Sequence, residues 1–586
     1  MTKQLLFWLL IVVAAPLWAG DDVHEPLFVE NRFPPAAVCK PCHPDHYRQW
    51  SVSPHAYAQL SPVFNAMQGT ITKLTNGTNS DFCVRCHTPI GSILGEKVFQ
   101  SNAKRNPISR EGITCVVCHR VNRAYGKINS RFAIVEGDIF HPIWGTHDGT
   151  GFGQLLADAR LNLTTAPKGI GRPVHQVEKF FQLDQPGFCG TCHEVTVVSG
   201  FREIEAFSEY KNSPASERGA SCQDCHMGKT PGVWTGNEIT NYDDGPAAKL
   251  GDIGTPPRKL TNHTFAGPDY PIIHPGLFPH NPEAAKLATL DEWLTFDHTA
   301  GWGTDEFEDN VPEGMTFPKR WESVDDRYEA REILDQQEAL LKEYWEQMAQ
   351  LLRNGYRIGE IVTEQADQNG IRFKVEVKNA TDGHNAPTSL AVVRLVFLSV
   401  TITDSQGAVV WKSGDLDPNG DLRDAHSAYV HNGILPRDGQ LFNLQSKFIT
   451  RNVKGGEREQ VLPANFSVTP LPFSRPSTVA TVLTGRPQDV RIHKLGIVPL
   501  GSRWAKYKVK GRALTGKGPY QANVKLVAAM FPVNLVNAVA GVGFDYGMSP
   551  RDVANQIVKR HLTLWEYEAT IDTTKDKTQV VWQRRE

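Results

Sequence analysis

The chain is poor in the features that mark several common protein classes. Its formal net charge is only −2 over 586 residues, so it has no cationic excess that would favour nucleic acid. Beyond residue 19 no apolar run reaches the roughly 20 residues that a bilayer span needs. The second half contains no nucleophile elbow, phosphate-binding loop or zinc-protease helix. We therefore expect no nucleic-acid partner, no membrane span and no independent catalytic site in that half.

The chain has no cysteine outside one repeated motif. All 10 cysteines fall in five Cys-x-x-Cys-His segments: Cys39, Cys42 and His43; Cys83, Cys86 and His87; Cys115, Cys118 and His119; Cys189, Cys192 and His193; Cys222, Cys225 and His226. This spacing is the attachment sequence of c-type haem, in which two thiols bind the porphyrin and the adjacent histidine binds the iron. Zinc knuckles would not require the fifth-position histidine. The sequence predicts five covalently attached haem c groups.

The N-terminus has the pattern of an export signal. Lys3 precedes an apolar run over 5–19 that ends at Ala19, and Pro16 interrupts it. The run is short for a membrane anchor, so we predict a signal peptide over 1–19, cut near Ala19. The mature chain is then expected to be periplasmic, at the cell surface or extracellular.

Each haem iron has a second axial position, and histidine is plentiful while methionine is scarce. Seven methionines stand against fifteen histidines outside the motifs, and ten of those fifteen precede residue 300. A second histidine gives an electron-transfer haem, whereas an open position permits ligand binding. Two-histidine ligation is therefore the default expectation.

Several fragments resemble the multihaem cytochromes c related to tetrahaem cytochrome c-554. They include HYRQWSVSPHAYA (46–58), GITCVVCHRV (112–121), HQVEKFFQLDQPGFCGTCHEV (175–195) and NHTFAG (262–267), and the resemblance covers roughly residues 36–270. It implies that His55, His175 and His263 are distal haem ligands. His46 is three residues after His43, on the same side of its turn, and is expected to be incidental. His141 and His147 remain alternatives for another ligand, with His147 taken forward.

An internal echo links YRQWSVSPHA (47–56) with FSEYKNSPAS (207–216). Trp50 aligns with Tyr210, and Ser53 with Ser213, but His55 aligns with Ala215. If the echo is a repeat, its second copy has lost a ligand. Some haem then takes its sixth ligand from elsewhere or has an open position.

The rest of the chain predicts an α+β multidomain protein. We divide it into a mostly helical and irregular pentahaem domain over 20–320 with a Pro/Gly-rich wrap, a long linking amphipathic helix over 321–355, and an immunoglobulin-like β-sandwich over 356–586. Strand patterns occur at 371–379, 391–414, 479–485, 520–531 and 561–571, with a short helix near 549–559.

The loop NATDGHNAPTSL (379–390) lies between the first two predicted strands. It resembles a Gly-His-x-x-Pro-Thr loop in the C-terminal β domain of some multihaem cytochromes. The resemblance implies that His384 reaches back to ligate a haem, whereas a loop histidine without a metal role is the competing interpretation.

Two functions remain open. An electron carrier between a donor and an acceptor protein is favoured, with self-assembly into an oligomer, filament or haem wire undecided. The alternative is an oxidoreductase for a small nitrogen or sulfur compound at a haem with an open axial position. All five motifs end in histidine, so the lysine-ligated motif of pentahaem nitrite reductase is absent.

Overall fold

Short helices are the main secondary structure in the described residues between 32 and 320. The computed structural model describes residues 32–77, 79–121, 129–130, 132–196, 202–274, 280–451, 457–461 and 490–585. The helices before residue 310 are α1 Pro44–Ser51, α2 Pro62–Leu74, α3 Val84–His87, α4 Pro89–Ile93, α5 Pro107–Arg110, α6 Cys115–His119, α7 Thr150–Ala157, α8 Pro186–Gly190, α9 Ala206–Lys211, α10 Pro214–Glu217, α11 Cys222–His226, α12 Glu238–Asn241, α13 Pro282–Leu287, α14 Leu290–Trp293 and α15 Asp305–Glu308.

Many of these helices start at a polar cap followed by proline. Ser61, Thr88 and Asn106 each accept a backbone hydrogen bond at the start of α2, α4 and α5, and proline follows each of them. The cap satisfies an N–H that has no partner within the helix, and proline tolerates the first turn. Local sequence alone therefore sets where these helices begin.

Small two-stranded ladders connect the helices. β1 pairs with β4 and β2 with β3 in parallel, while β5–β6, β7–β10 and β8–β9 are antiparallel. Their bounds are β1 Ile143–Gly145, β2 Leu163–Thr164, β3 Arg172–Pro173, β4 Val177–Lys179, β5 Val195–Thr196, β6 Arg202–Ile204, β7 Asp243–Pro246, β8 Lys249–Leu250, β9 Ile253–Gly254 and β10 Pro257–Leu260.

One long helix, α16 over Val324–Gly355, follows this region. Ser323 caps it by accepting the amide of Asp326. Its buried face includes Leu334, Leu341 and Met348, which recur at helical spacing. The helix packs against α13 and against strands of the second half, so its apolar stripe is part of the core.

Two sheets form most of the second half. β11, β12 and β18 make a three-stranded sheet, and β14, β13, β19, β20 and β21 lie in that order in a five-stranded sheet; β15 lies between β16 and β17 in a third. The bounds are β11 Tyr356–Asp367, β12 Gly370–Asn379, β13 Leu395–Thr403, β14 Val409–Ser413, β15 Lys447–Arg451, β16 Glu457–Gln460, β17 Val490–His493, β18 Ser502–Lys510, β19 Tyr520–Ala529, β20 Leu562–Ile571 and β21 Gln583–Arg584, with helices α17 Ala428–His431, α18 Val533–Val539 and α19 Pro550–Lys559.

The inward side chains of the first two sheets share one apolar core. Phe373 and Val375 of β12 belong to the same buried cluster as Leu398 of β13 and Val524 of β19. Alternating apolar and polar residues along β12 and β18 produce this one-sided burial. The chain is thus a mixed helix and strand protein with a multidomain organisation. The immunoglobulin-like topology, the linking role of α16 and the domain bounds stay predictions.

Two of the sequence predictions concern residues outside the described ranges. The signal peptide over 1–19 and the strand over 479–485 both lie there. Among the residues that the structure describes, no helix combines the length and apolarity needed to cross a membrane.

Candidate functional site

Each Cys-x-x-Cys-His segment folds into a single tight turn. The amide of His43 donates to the carbonyl of Cys39, and the amide of His193 to that of Cys189, each at 2.9 Å. This geometry puts both thiols and the histidine of a motif within one turn of backbone. All ten cysteines are free and partly exposed. The thiols are therefore available for covalent attachment.

Backbone carbonyls orient most of the motif histidines. Nδ1 is held at 2.7–3.2 Å by one carbonyl oxygen in four of them: His43 by Ala247, His87 by Ala58, His119 by Trp144 and His226 by Ala266. Because Nδ1 must donate to a carbonyl, the lone pair of the neutral ring is on Nε2. A hydrogen bond from the ring nitrogen that does not bind the metal fixes the tautomer of a histidine ligand.

Four motif histidines each face a second histidine at a similar separation. Ring centres are 6.1 Å apart for His43 and His175, 6.1 Å for His55 and His193, 6.4 Å for His119 and His263, and 6.3 Å for His226 and His384. The ring planes are within 22° of parallel in three pairs and 53° apart for His55 and His193.

This separation fits one iron between two imidazoles. A metal–imidazole bond is about 2 Å and the ring centre lies roughly 1 Å behind the nitrogen, so two axial rings have centres about 6 Å apart. His175, His263 and His384 also hold Nδ1 on the carbonyls of Gln176, Thr261 and Asn385. Nδ1 of His55 is buried and lacks a hydrogen-bond partner among the described residues. The residues present therefore fit haem groups.

Burial keeps these histidines neutral, which is the form that binds iron. Desolvation lowers the pKa of His87, His175 and His226 to about 4 and that of His55 to about 3. For His55 the nearby rings of His193 and His226 act in the same direction. A neutral imidazole retains the lone pair that a metal requires.

His87 is the exception among the motif histidines. Its ring lies parallel to that of Phe64, with centres 3.5 Å apart and planes 4° apart. Within the described ranges, no second histidine ring lies opposite it at the separation found in the other four pairs. The distal side of this motif therefore differs from that of the others.

The remaining candidate histidines differ from these pairs in exposure or in their position along the chain. His147 is exposed near Arg258 and Lys179, and no motif histidine contacts its ring in the described part of the chain. His141 is also exposed and bonds to Asp138 at 3.0 Å. The ring centre of His46 is 6.2 Å from that of His43, its neighbour on one turn, and 4.5 Å from that of His263. The sequence does not choose between His141 and His147, and His147 as a haem ligand stays a prediction.

Cysteines of different motifs lie next to one another. The thiol of Cys39 interacts with that of Cys115, Cys86 with Cys192, and Cys189 with Cys222. The hydrogen bonds to Cys222 and Cys86, together with burial, raise the pKa of the Cys189 and Cys192 thiols, and the nearby Cys118 adds to both shifts. The five motifs are therefore contiguous.

The start of the chain matches a known family. Residues 38–120, which include the first three motifs, match the family described as cytochrome c554 and c-prime. With the repeated attachment motif, this match decides the class. The chain is a multihaem c-type cytochrome related to the cytochrome c554 family. Such a protein binds haem c and transfers electrons.

Other comparisons with known proteins add little to this multihaem cytochrome. No curated protein matches it. A penta-heme cytochrome c552 from Thermochromatium tepidum is similar in structure, at 14% identity and a TM-score of 0.49, over 92% of this chain and 99% of that chain. This likeness is too distant to transfer residue roles.

Sequence reasoning missed the side chains that surround the His384 loop. Glu209 accepts hydrogen bonds from Asn385 and Thr388, and Arg218 pairs with Asp382. Glu209 lies in the weak second copy at 207–216, and Arg218 lies just after it. The internal echo was therefore the one sequence signal that pointed to this region. Their contacts span more than 160 residues of sequence, which no local pattern reveals.

Proposed function

We propose that this cytochrome holds five haem c groups and carries electrons between a donor and an acceptor protein. The ten motif cysteines would form the thioether bonds, and His43, His87, His119, His193 and His226 would be the proximal ligands. The haem iron supplies a one-electron couple when bound. The protein residues attach, orient and enclose it.

The observation that supports this function is the common 6.1–6.4 Å separation of four histidine pairs. In this proposal His175 completes the site of His43, and His55 that of His193. His263 completes the site of His119, and His384 that of His226. Two histidines leave no position for a substrate, which suits electron transfer.

The cysteine contacts order the attachment sites. The first motif lies beside the third, the third is close to the fourth, and the fourth touches both the second and the fifth. A carrier needs neighbouring sites without long gaps. The first, third, fourth and fifth motifs thus form a continuous series of four sites. The second motif, which contains His87, lies beside the fourth motif as a branch of this series.

We further propose that the mature protein is exported and acts in the periplasm or at the cell surface. The predicted signal peptide and the covalent attachment of the cofactor support this location. The partners would be redox proteins.

A second candidate function rests on His87. Four motif histidines face a second histidine, whereas His87 has none placed opposite it in the described ranges. An open axial position there would admit a small ligand, as an oxidoreductase of a nitrogen or sulfur compound requires. The first function does not depend on this one.

Haem analysis and spectroscopy of the holoprotein test both functions. The pyridine haemochrome assay should give five haems per chain, and four would contradict the motif assignment. Electron paramagnetic resonance of the oxidised protein should show low-spin signals from the four paired sites. Carbon monoxide should bind a single haem if His87 has an open position. Binding to none would remove the second function and leave the carrier.

A further inference from the structure

The weak internal echo is a structural repeat. In each copy the same bonds recur at matching positions: Ser53 N to Trp50 O and Ser213 N to Tyr210 O, both 2.9 Å; Ala56 N to Ser53 Oγ at 3.2 Å and Ser216 N to Ser213 Oγ at 3.3 Å. Both serines are fully buried. The two segments therefore share one local conformation.

Each copy also holds the residue that stands two positions before a haem motif, the third motif for the first copy and the fifth motif for the second. Trp50 Nε1 donates to the carbonyl of Ile113 at 2.8 Å, and the Tyr210 hydroxyl donates to that of Ala220 at 2.7 Å. Ile113 and Ala220 each stand two residues before the first cysteine of a motif. Their amides in turn donate to the carbonyls of His55 and Ala215, both at 2.9 Å. Ala215 therefore occupies the position of His55.

A loop of the second half covers the position where the second copy lacks its histidine. The amide of Ala215 donates to the carbonyl of Asp382 at 3.2 Å. A Cβ added to Gly383 would meet the Cβ of Ala215 at 4.0 Å, and Ala215 is 3% exposed. A side chain larger than alanine would meet this loop. The loop carries His384, whose ring faces that of His226.

Two charged side chains, Glu209 in the second copy and Arg218 just after it, hold this loop. Glu209 accepts from the Asn385 side chain at 2.7 Å, from the Asn385 amide at 3.3 Å and from the Thr388 hydroxyl. Arg218 makes a two-point contact with Asp382, at 2.7 and 3.1 Å. The contacts lie on both sides of His384 along the chain. Charge-assisted and two-point bonds of this kind fix orientation more strongly than neutral single bonds.

The same loop is tied to the β sheets from its other side. Asn379 Nδ2 donates to the carbonyl of His384 at 2.9 Å and to that of Ile497 at 3.0 Å. Ala386 and Ile497 exchange a pair of backbone bonds, both 2.9 Å. The loop therefore bridges the β sheets and the second repeat.

We propose that Glu209 is a positioning residue for the sixth ligand of the haem at His226. It acts through Asn385 and Thr388 to place the His384 ring. Arg218 holds the same loop at Asp382, and the small side chain of Ala215 leaves room for it. The loop of the second half thus occupies the space beside Ala215, where the second copy has alanine in place of the histidine of the first copy. This inference rests on the proposed ligation by His384 and names the contacts that maintain it.

The test compares variants of the full-length holoprotein by electron paramagnetic resonance and by carbon monoxide binding. Glu209→Ala should convert one low-spin haem partly to high spin and add one haem per chain that binds carbon monoxide. Glu209→Gln retains an oxygen that accepts from Asn385 and should recover most of the low-spin signal. Glu217→Ala, at an exposed glutamate directly after the second copy, is the matched control and should resemble the wild type.

His384→Ala separates this inference from the ligation on which it rests. If His384→Ala leaves every haem low-spin, the ligation is wrong. If His384→Ala gives a high-spin haem while Glu209→Ala and Ala215→Leu do not, ligation stands and the positioning role is overturned. Should Glu209→Ala fail to fold, Thr388→Val removes one bond to Glu209 with little change of shape and should give a smaller shift in the same direction. An unchanged Thr388→Val spectrum would then overturn the role.

Discussion

Individual histidines in this chain have different roles because their surroundings differ. His55 and His175 face motif histidines, while His141 is exposed and paired with an aspartate. His280 is buried and belongs to neither of these two groups. Its Nε2 donates to the carbonyl of Ala56 at 3.0 Å, and its ring lies 4.2 Å from that of Trp50. It therefore supports the segment that carries His55 without facing a motif histidine.

His280 should make stability depend on pH. Burial lowers its pKa from 6.5 to about 3, so below pH 6.5 the unfolded chain binds a proton that the folded chain does not. The free energy of unfolding should therefore fall as pH drops, by about 2 kcal/mol for this group between pH 7 and 5. Denaturant unfolding of His280→Gln at pH 7 and at pH 5 gives the change in its free energy of unfolding between the two. That change should be smaller than in the wild type by this amount. Exposed His431→Gln is the control, and an unchanged slope in His280→Gln would contradict the assignment.

Helices and strands in this protein were predictable where the signal was local. The five motif turns follow from spacing alone, and alternation located strands such as β12 and β20. His384 as a haem ligand came only from a family resemblance, and its placement opposite His226, 158 positions away, was not predicted. The residues over 228–320 have little periodicity, and their short ladders are held by contacts with distant segments. Sequence therefore revealed attachment sites better than the ligands opposite them.

Gly303, just before α15, makes one such distant contact with α16. Gly303 has φ +74°, and an added Cβ would lie 2.0 Å from the carbonyl oxygen of Arg327 in the first turn of α16. Arg327 itself is buried in a two-point pair with Glu308. The chain can approach the helix here because the residue has no side chain.

Gly303→Ala should destabilise the protein more than an otherwise similar substitution. Gly314 has φ +80° and no atom within 4 Å of an added Cβ, so Gly314→Ala should cost only the strain of the left-handed conformation, about 1 kcal/mol. Gly303→Ala adds a backbone clash worth roughly 1–3 kcal/mol more. Thermal and denaturant unfolding of the two variants give the difference directly. Equal losses would show that the loop moves away from α16 without cost.

At the scale of the whole molecule, the cysteine contacts divide the motifs into near and distant neighbours. The first motif touches the third, and the fifth touches the fourth. Reduction of one site places negative charge beside its neighbour, and Coulomb repulsion falls with distance. Potentials of adjacent sites should therefore depend on each other more than those of remote sites.

Changing one axial ligand should reveal this order. His175→Met replaces the proposed second ligand at His43, and histidine–methionine ligation raises a haem potential, here by on the order of 100 mV within the roughly 0.8 V that axial ligands span. Because that site is then reduced earlier, the third-motif site should become harder to reduce, while the fifth-motif site should change least. A redox titration followed by electron paramagnetic resonance distinguishes the sites. His431→Met is the control, since His431 is an exposed histidine of α17 with no proposed ligand role. A uniform shift at all sites would contradict the order, because only a global change in structure would act equally on near and remote motifs.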